Sequence, residues 1–201
     1  MLIKRIPAGI YAANCYIVMD ENTKDTIVID IGGDADDIIK ELRNLKANLK
    51  AILLTHGHVD HVSGVLELKR EYDVPVYLSS KDEELMIKNT YIYGNFGDKR
   101  ADYSLNQGDK LKIGSLNIQV IATPGHTPGG VCFLIGNDLF TGDTLFYGSV
   151  GRSDLEGGDH IELINNIKSK LVILSDDIKV YCGHGPSTTI GKEKQINPFL
   201  R

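Results

Sequence analysis

Within seven residues, Thr55-His56-Gly57-His58-Val59-Asp60-His61, the chain carries three imidazoles and a carboxylate. Nitrogen and oxygen donors in such a pattern suit a borderline divalent cation. A lone histidine is more often a hydrogen-bonded core residue, but four such groups in one loop would compete for partners unless a cation held them. Three more donors follow, each in a glycine-rich turn after a strand-like run. His126 sits in Thr123-Pro124-Gly125-His126-Thr127-Pro128-Gly129-Gly130, Asp143 in Thr141-Gly142-Asp143-Thr144, and His184 in Cys182-Gly183-His184-Gly185-Pro186. On its own, Asp143 reads as a turn former or helix cap. Cys182 could be a thiolate, yet Val180-Tyr181-Cys182 continues a strand, which favours a packed, inert thiol.

The surrounding pattern alternates strands with amphipathic helices. Cys15–Met19 and Thr26–Asp30 read as strands, 36–46 as a helix with Ile38, Ile39, Leu42 and Leu45 on one face, and Ala51–Leu54 as the buried strand that delivers the histidine loop. Val65, Leu68 and Tyr72 form a second stripe, ended by Pro75 before the strand Val76–Leu78, and 81–88 reads as a short helix. Leu111 and Ile113, then Gly114-Ser115, then Leu116, Ile118 and Val120 predict a two-residue hairpin. Val131–Ile135 and Leu139–Thr141 add strands, and Asp159 caps a helix with His160, Ile164, Ile167 and Leu171 on one side, which makes His160 a surface or packing residue. The stretch 89–107, with Tyr91, Tyr93, Phe96 and Tyr103 among glycines and charges, is the least regular. It reads equally as a lid or pocket wall and as a helical insertion packed on the surface.

The chain has 201 residues, 42% hydrophobic, and a net charge of −5 with dispersed lysines and arginines. That suits one compact domain, 1–201, and argues against nucleic acid as a partner. No run approaches the roughly 18 apolar residues of a membrane span. Met1–Ile6 is too short and wrongly ordered for a signal peptide, so the expected location is cytoplasmic, with no membrane partner. The three scattered cysteines agree with a reducing compartment.

Taken together, the His-x-His-x-Asp-His loop followed by a histidine, an aspartate and a histidine resembles the metallo-β-lactamase superfamily. The runs around His126, Phe140-Thr-Gly-Asp-Thr-Leu-Phe146 and Gly148-Ser-Val-Gly-Arg-Ser-Asp-Leu-Glu-Gly-Gly-Asp159 are similar to the glyoxalase II-like (hydroxyacylglutathione hydrolase-like) hydrolases. The segment from His184 to Leu200 resembles their short bacterial branch. The resemblance implies an α/β fold, a four-layer αββα sandwich, and two divalent metals, zinc first, with iron or manganese as alternatives. It implies one metal at His56, His58 and His126, another at Asp60, His61 and His184, and Asp143 between them.

The implied activity is hydrolysis of a small acyl thioester through a metal-bridging hydroxide, with Asp60 also orienting the nucleophile and accepting its proton. Pro186 stands where glyoxalase II enzymes place a tyrosine, and Asp154 where they tend to have an aromatic. No glutathione-binding helical region is expected after His184. Candidate substrate contacts are Arg152, Tyr91, Tyr93, Phe96 and Tyr103. An iron-dependent persulfide dioxygenase is the alternative, and a metal-binding protein without turnover a further one. True β-lactamase activity is disfavoured. The oligomeric state is left open.

Overall fold

The computed structural model describes residues 1–88, 91–95 and 100–201. Two six-stranded sheets face each other. The first has the order β1 (Leu2–Ala8), β2 (Ala13–Met19), β3 (Asp25–Ile29), β4 (Asn48–Leu53), β5 (Val76–Leu78), β6 (Tyr103–Ser104). Its first two pairings are antiparallel and the other three parallel. The second sheet contains β7 (Lys110–Ile113), β8 (Leu116–Ala122), β9 (Val131–Ile135) and β10 (Asp138–Gly142). A small hairpin, β11 (Leu145–Phe146) and β12 (Ser149–Val150), precedes its last strands, β13 (Lys179–Cys182) and β14 (Thr188–Thr189). The order is β14-β13-β10-β9-β8-β7, and β10 and β13 are parallel.

Strands buried on both faces read as continuous apolar runs, and β2 and the Ala51–Leu53 half of β4 have that character. Between the sheets, Tyr16, Val18, Ile27, Ile29 and Leu53 meet Ile118, Val120, Phe133 and Phe140. On the far side of the first sheet lie α1 (Ala35–Asn44), the single turn α2 (Val59–Val62), α3 (Val65–Tyr72) and α4 (Ser80–Ile87), packed through Ile38, Leu42, Val65, Leu68 and Met86. The second sheet is covered by α5 (His160–Asn166) and α6 (Ile190–Ile196). Helix, sheet, sheet, helix is the layering expected of the sequence.

The Gly114-Ser115 hairpin forms in the expected register, Ile113 opposite Leu116, with Gly114 at φ 58°. Asp159 caps α5 by accepting from the Glu162 amide at 2.9 Å. Ile167 and Leu171 are buried on the expected side, with Ile164 packed half-buried against the same cluster and His160 exposed. Leu163 joins that core, and after Asn166 the chain widens into a π turn over Ile167–Leu171. No described helix is long and apolar enough to cross a membrane.

Candidate metal centre

β3 and β4 run parallel, as do β10 and β13, and β8 runs in the same sense as β10 through two antiparallel steps. The loops at the ends of these strands therefore gather the donors at one edge. His56, His58 and His126 bring ligand atoms to within 4.8 Å of one another, and so do Asp60, His61 and His184. Asp143 lies between the clusters: Oδ1 is 3.4 Å from His61 Nε2, and Oδ2 is 3.6 Å from His126 Nε2 and 3.7 Å from His184 Nε2. Asp60 Oδ2 is 3.2 Å from His184 Nε2 and 3.9 Å from His61 Nε2. All seven residues singled out from the sequence converge.

The electrostatics of the two groups differ. Burial pushes His56 well below the ordinary imidazole value, aided by His61 and His58. Burial and the His126 and His61 rings push His58 down to about 3. Neutral imidazoles offer free lone pairs, which a cation requires. In the other group, burial works against the charge on His61, but Asp143 and Asp30 outweigh it and raise the pKa well above normal. The hydrogen bond with Asp60 raises that of His184. Burial tends to raise Asp143, yet the His61, His126 and His184 rings hold it well below the usual carboxylate range.

The orphaned atoms support a cation here. His56 Nε2, His58 Nε2 and Asp143 Oδ1 are buried and have no hydrogen-bond partner among the described residues. Buried polar atoms are rarely left so. His58 Nδ1 and His126 Nε2 lie 2.9 Å apart, within hydrogen-bond distance. The donor set is therefore a fit for divalent metal.

Residues the sequence did not flag hold these donors in place. Asp30, at the end of β3, accepts from the Thr55 amide and hydroxyl at 2.8 Å each and from His61 Nδ1 at 2.8 Å, leaving His61 Nε2 for the centre. Asp30 is satisfied by these partners and acts as a buttress. His126 Nδ1 donates to the Arg152 carbonyl at 2.6 Å, which frees Nε2. Asn14 Nδ2 donates to the carbonyls of Cys182 and Gly185 at 2.9 and 3.0 Å, and its amide donates to the Gly183 carbonyl at 2.7 Å. This ties the His184 loop to β2.

Asp82, fully buried on α4, bridges the first cluster from behind. Its Oδ2 accepts from the Gly57 amide at 2.9 Å and the Thr127 hydroxyl at 2.8 Å, and its Oδ1 from the Gly129 amide at 2.6 Å. It thus joins the His56–His58 loop to the His126 loop. Gly183 is required for space: a Cβ there would stand 2.1 Å from Asp143 Oδ1. A lone carboxylate or asparagine beside a strand carries no such signal in the sequence.

The substrate candidates divide. Arg152 and Tyr91 line a cleft of about 820 Å³ that opens over both clusters. Tyr93 is buried against the His58 ring, centroids 4.9 Å apart, and its hydroxyl donates to the Glu156 carbonyl at 3.1 Å. Tyr103 belongs to β6 and stacks on Tyr77, centroids 4.8 Å apart, outside that cleft. Phe96 lies outside the described residues. Cys182 is buried, and desolvation pushes its thiol up to about 12. Residues 91–95 form neither helix nor detached lid: the Val59 amide donates to Ile92 O at 2.9 Å, and the Gly94 amide to Gly57 O at 3.0 Å. This stretch is a wall fastened to the histidine loop.

The metallo-β-lactamase superfamily family model matches residues 8–184, and the chain belongs to that superfamily. Among its relatives, hydroxyacylglutathione hydrolase GloC of Haemophilus influenzae is 38% identical over 209 residues, covering 100% of this chain and 98% of GloC. The crystal structure of BLEG-1, a B3 metallo-β-lactamase, superposes with a TM-score of 0.91 at 37% identity, covering 99% of each chain. That of ETHE1 from Myxococcus xanthus gives a TM-score of 0.84 at 29% identity, covering 98% of this chain and 84% of that one.

Proposed function

We propose that this protein is a binuclear metal-dependent hydrolase of small acyl thioesters. The observation that carries the reading is Asp143, a half-buried carboxylate whose buried Oδ1 has no hydrogen-bond partner among the described residues, set between two donor clusters. His56, His58 and His126 would hold one divalent metal, zinc by the donor chemistry, and Asp60, His61 and His184 a second, with Asp143 shared. When bound, such ions lower the pKa of water from 15.7 toward about 7 and polarise a carbonyl.

The chain's own residues do the rest. Asp60 lines the cleft, and its Oδ2 can orient the attacking water and take its proton. His184, 3.2 Å from that oxygen, keeps the carboxylate ionised until then. Phe146, Val150 and Leu155 give the cleft an apolar wall beside Asp143 and His184. A thioester suits this arrangement because a thiolate leaves with little acid assistance, and among the described residues no lysine or arginine stands among the clustered histidines to protonate a worse leaving group. The similarity to GloC supports the same chemistry.

The likeness to ETHE1 equally supports the alternative, an iron-dependent persulfide dioxygenase. Metal analysis of protein purified without added metal, with thioester, persulfide and β-lactam assays on the same sample, tests the reading. The β-lactam arm is included because of the likeness to BLEG-1. About two metals per chain and thioester cleavage are expected. One iron with oxygen consumption on persulfide, or cleavage of the lactam alone, would overturn the assignment.

A further inference from the structure

Four of the large apolar side chains that the described chain leaves in solvent, Ile10, Tyr11, Val59 and Tyr91, converge on the cleft over the metal centre. Single exposed apolar residues are ordinary, but a cluster rimming one concavity marks a surface that binds something apolar. Ile10 is 92% exposed and Tyr91 97%.

Both sides of the rim are built in place. Ile10 and Tyr11 form the tip of the β1–β2 hairpin, closed by the Ala12 amide on Gly9 O at 3.0 Å and anchored by the Gly9 amide on Asp34 Oδ2 at 2.8 Å. Ala12 takes φ 52° to complete that turn, a conformation that costs a non-glycine residue about 1 kcal/mol. Opposite, Tyr91 and Ile92 sit on the stretch whose backbone is bonded to Gly57 and Val59. Phe146 and Leu155 continue the lining inward toward the histidines.

The charge pattern points the same way. The one cation lining the cleft among the described residues, other than histidine, is Arg152. Its guanidinium is already paired fork to fork with Asp154, Nε to Oδ1 at 2.8 Å and Nη2 to Oδ2 at 2.9 Å. An incoming carboxylate would have to compete with Asp154, on a chain of net charge −5. Nothing else in the described lining favours an anionic substrate away from the centre itself.

We infer that the cleft selects thioesters with an apolar, uncharged acyl group, seated between the Ile10–Tyr11 tip and the Tyr91–Ile92 wall with the thioester carbonyl at the histidine floor. The inference rests on the hydrolase reading and names its substrate class. In the reaction, water oxygen forms the new C–O bond, the C–S bond breaks with its electron pair going to sulfur, and the water's proton ends on the thiol or in solvent.

The test uses metal-loaded protein and thioesters of one neutral thiol, N-acetylcysteamine, with acetyl, hexanoyl, phenylacetyl and succinyl groups, each rate corrected for its hydroxide-catalysed reactivity. Burial of apolar carbon predicts a gain of up to about fourfold in kcat/KM per seated methylene. Hexanoyl and phenylacetyl should exceed acetyl by at least about tenfold, and succinyl should fall below acetyl. The double variant Ile10→Ser/Tyr91→Ser should collapse the hexanoyl-to-acetyl ratio toward one.

A readout independent of turnover comes from Tyr91→Trp, the single tryptophan of a chain that otherwise has none, excited selectively over the tyrosines. Its emission should respond to the uncleavable S-benzyl thioether of the same thiol and not to the S-carboxymethyl one. Binding of the benzyl thioether with no thioester cleaved would sink the hydrolase reading and leave the apolar site standing. Cleavage with equal kcat/KM for acetyl and hexanoyl would overturn the inference alone. A preference for succinyl, or a protein dimer that buries the Trp reporter and blocks its response, would also overturn it.

Discussion

Asp82 touches no candidate metal ligand side chain, yet its replacement should alter the centre selectively. In Asp82→Asn the carboxamide keeps the size of the carboxylate but carries one acceptor oxygen. If that oxygen takes the place of Oδ2, it retains the Gly57 amide and Thr127 hydroxyl, and its NH₂ then faces the Gly129 amide now accepted by Oδ1 at 2.6 Å. Two donors face each other, and one buried N–H is orphaned at a cost of about 1–3 kcal/mol. Against this, the change removes a fully buried charge, and burial raises the Asp82 pKa despite its three donors, so ionisation there weakens the fold. The two effects oppose, and the melting temperature should move by no more than about 2–4 °C.

The His126 loop, loosened where the Gly129 amide loses its acceptor, should lower affinity for one of two metals by about 10–100-fold, with the second, backed by Asp30, retained. Chelator titration read by elemental analysis, with thermal unfolding on the same protein, separates the two effects. Equal weakening of both metals in step with a large fall in melting temperature would refute the positioning role. The raised pKa also fixes a sign. The carboxyl's contribution is fully present below its unfolded pKa of 3.8 and is lost as pH rises through the higher folded value, so the variant should gain relative to wild type from pH 4 upward.

Other substitutions separate the roles of neighbouring residues. Asp143→Ala should cut kcat/KM at least about a hundredfold with the circular dichroism spectrum unchanged; turnover within a few-fold of wild type would sink the bridging assignment. Gly183→Ala, whose Cβ would meet Asp143 Oδ1 at 2.1 Å, should lose most activity, whereas Gly136→Ala, at φ 61° with nothing within 4 Å, should cost about 1 kcal/mol of stability and leave kinetics alone. Equal kinetic loss in both would discard the steric argument. His160→Ala should leave steady-state kinetics within about twofold, because the ring is exposed and lies outside the cleft, beside Ser153 Oγ at 3.1 Å and the Phe199 ring.

The donors were legible because histidine is uncommon and clusters of it are rarer still: five of the six histidines fall in the loops that converge. The layered fold was legible from apolar runs that alternate with helical stripes. Asp30, Asp82 and Asn14 were not, since each is one short polar residue whose partners lie at least 25 positions away, and only the packed structure brings those partners near. Tyr103 looked like its aromatic neighbours in the irregular stretch, but a two-residue strand paired with β5 carries it to the sheet edge. The π turn at Ile167–Leu171 escaped because Leu163, Ile167 and Leu171 keep a four-residue spacing that an unbroken α-helix also gives.

Each donor cluster draws from both sheets, and this has a mechanical consequence. His58 and His126 are separated by 68 positions, His61 and His184 by 123. A cation gripped by both members of such a pair would close a long loop of chain, as a covalent cross-link does, and the entropy lost by the unfolded chain grows only slowly with loop length. The pair of ions would then rivet the two sheets along their ligand-bearing edge. Unlike a disulfide, these rivets need no oxidising compartment, and their strength follows the supply of metal through mass action. Resistance to unfolding would thus be set partly by the solution around the protein, with the seam between the sheets the first place to part when metal is scarce.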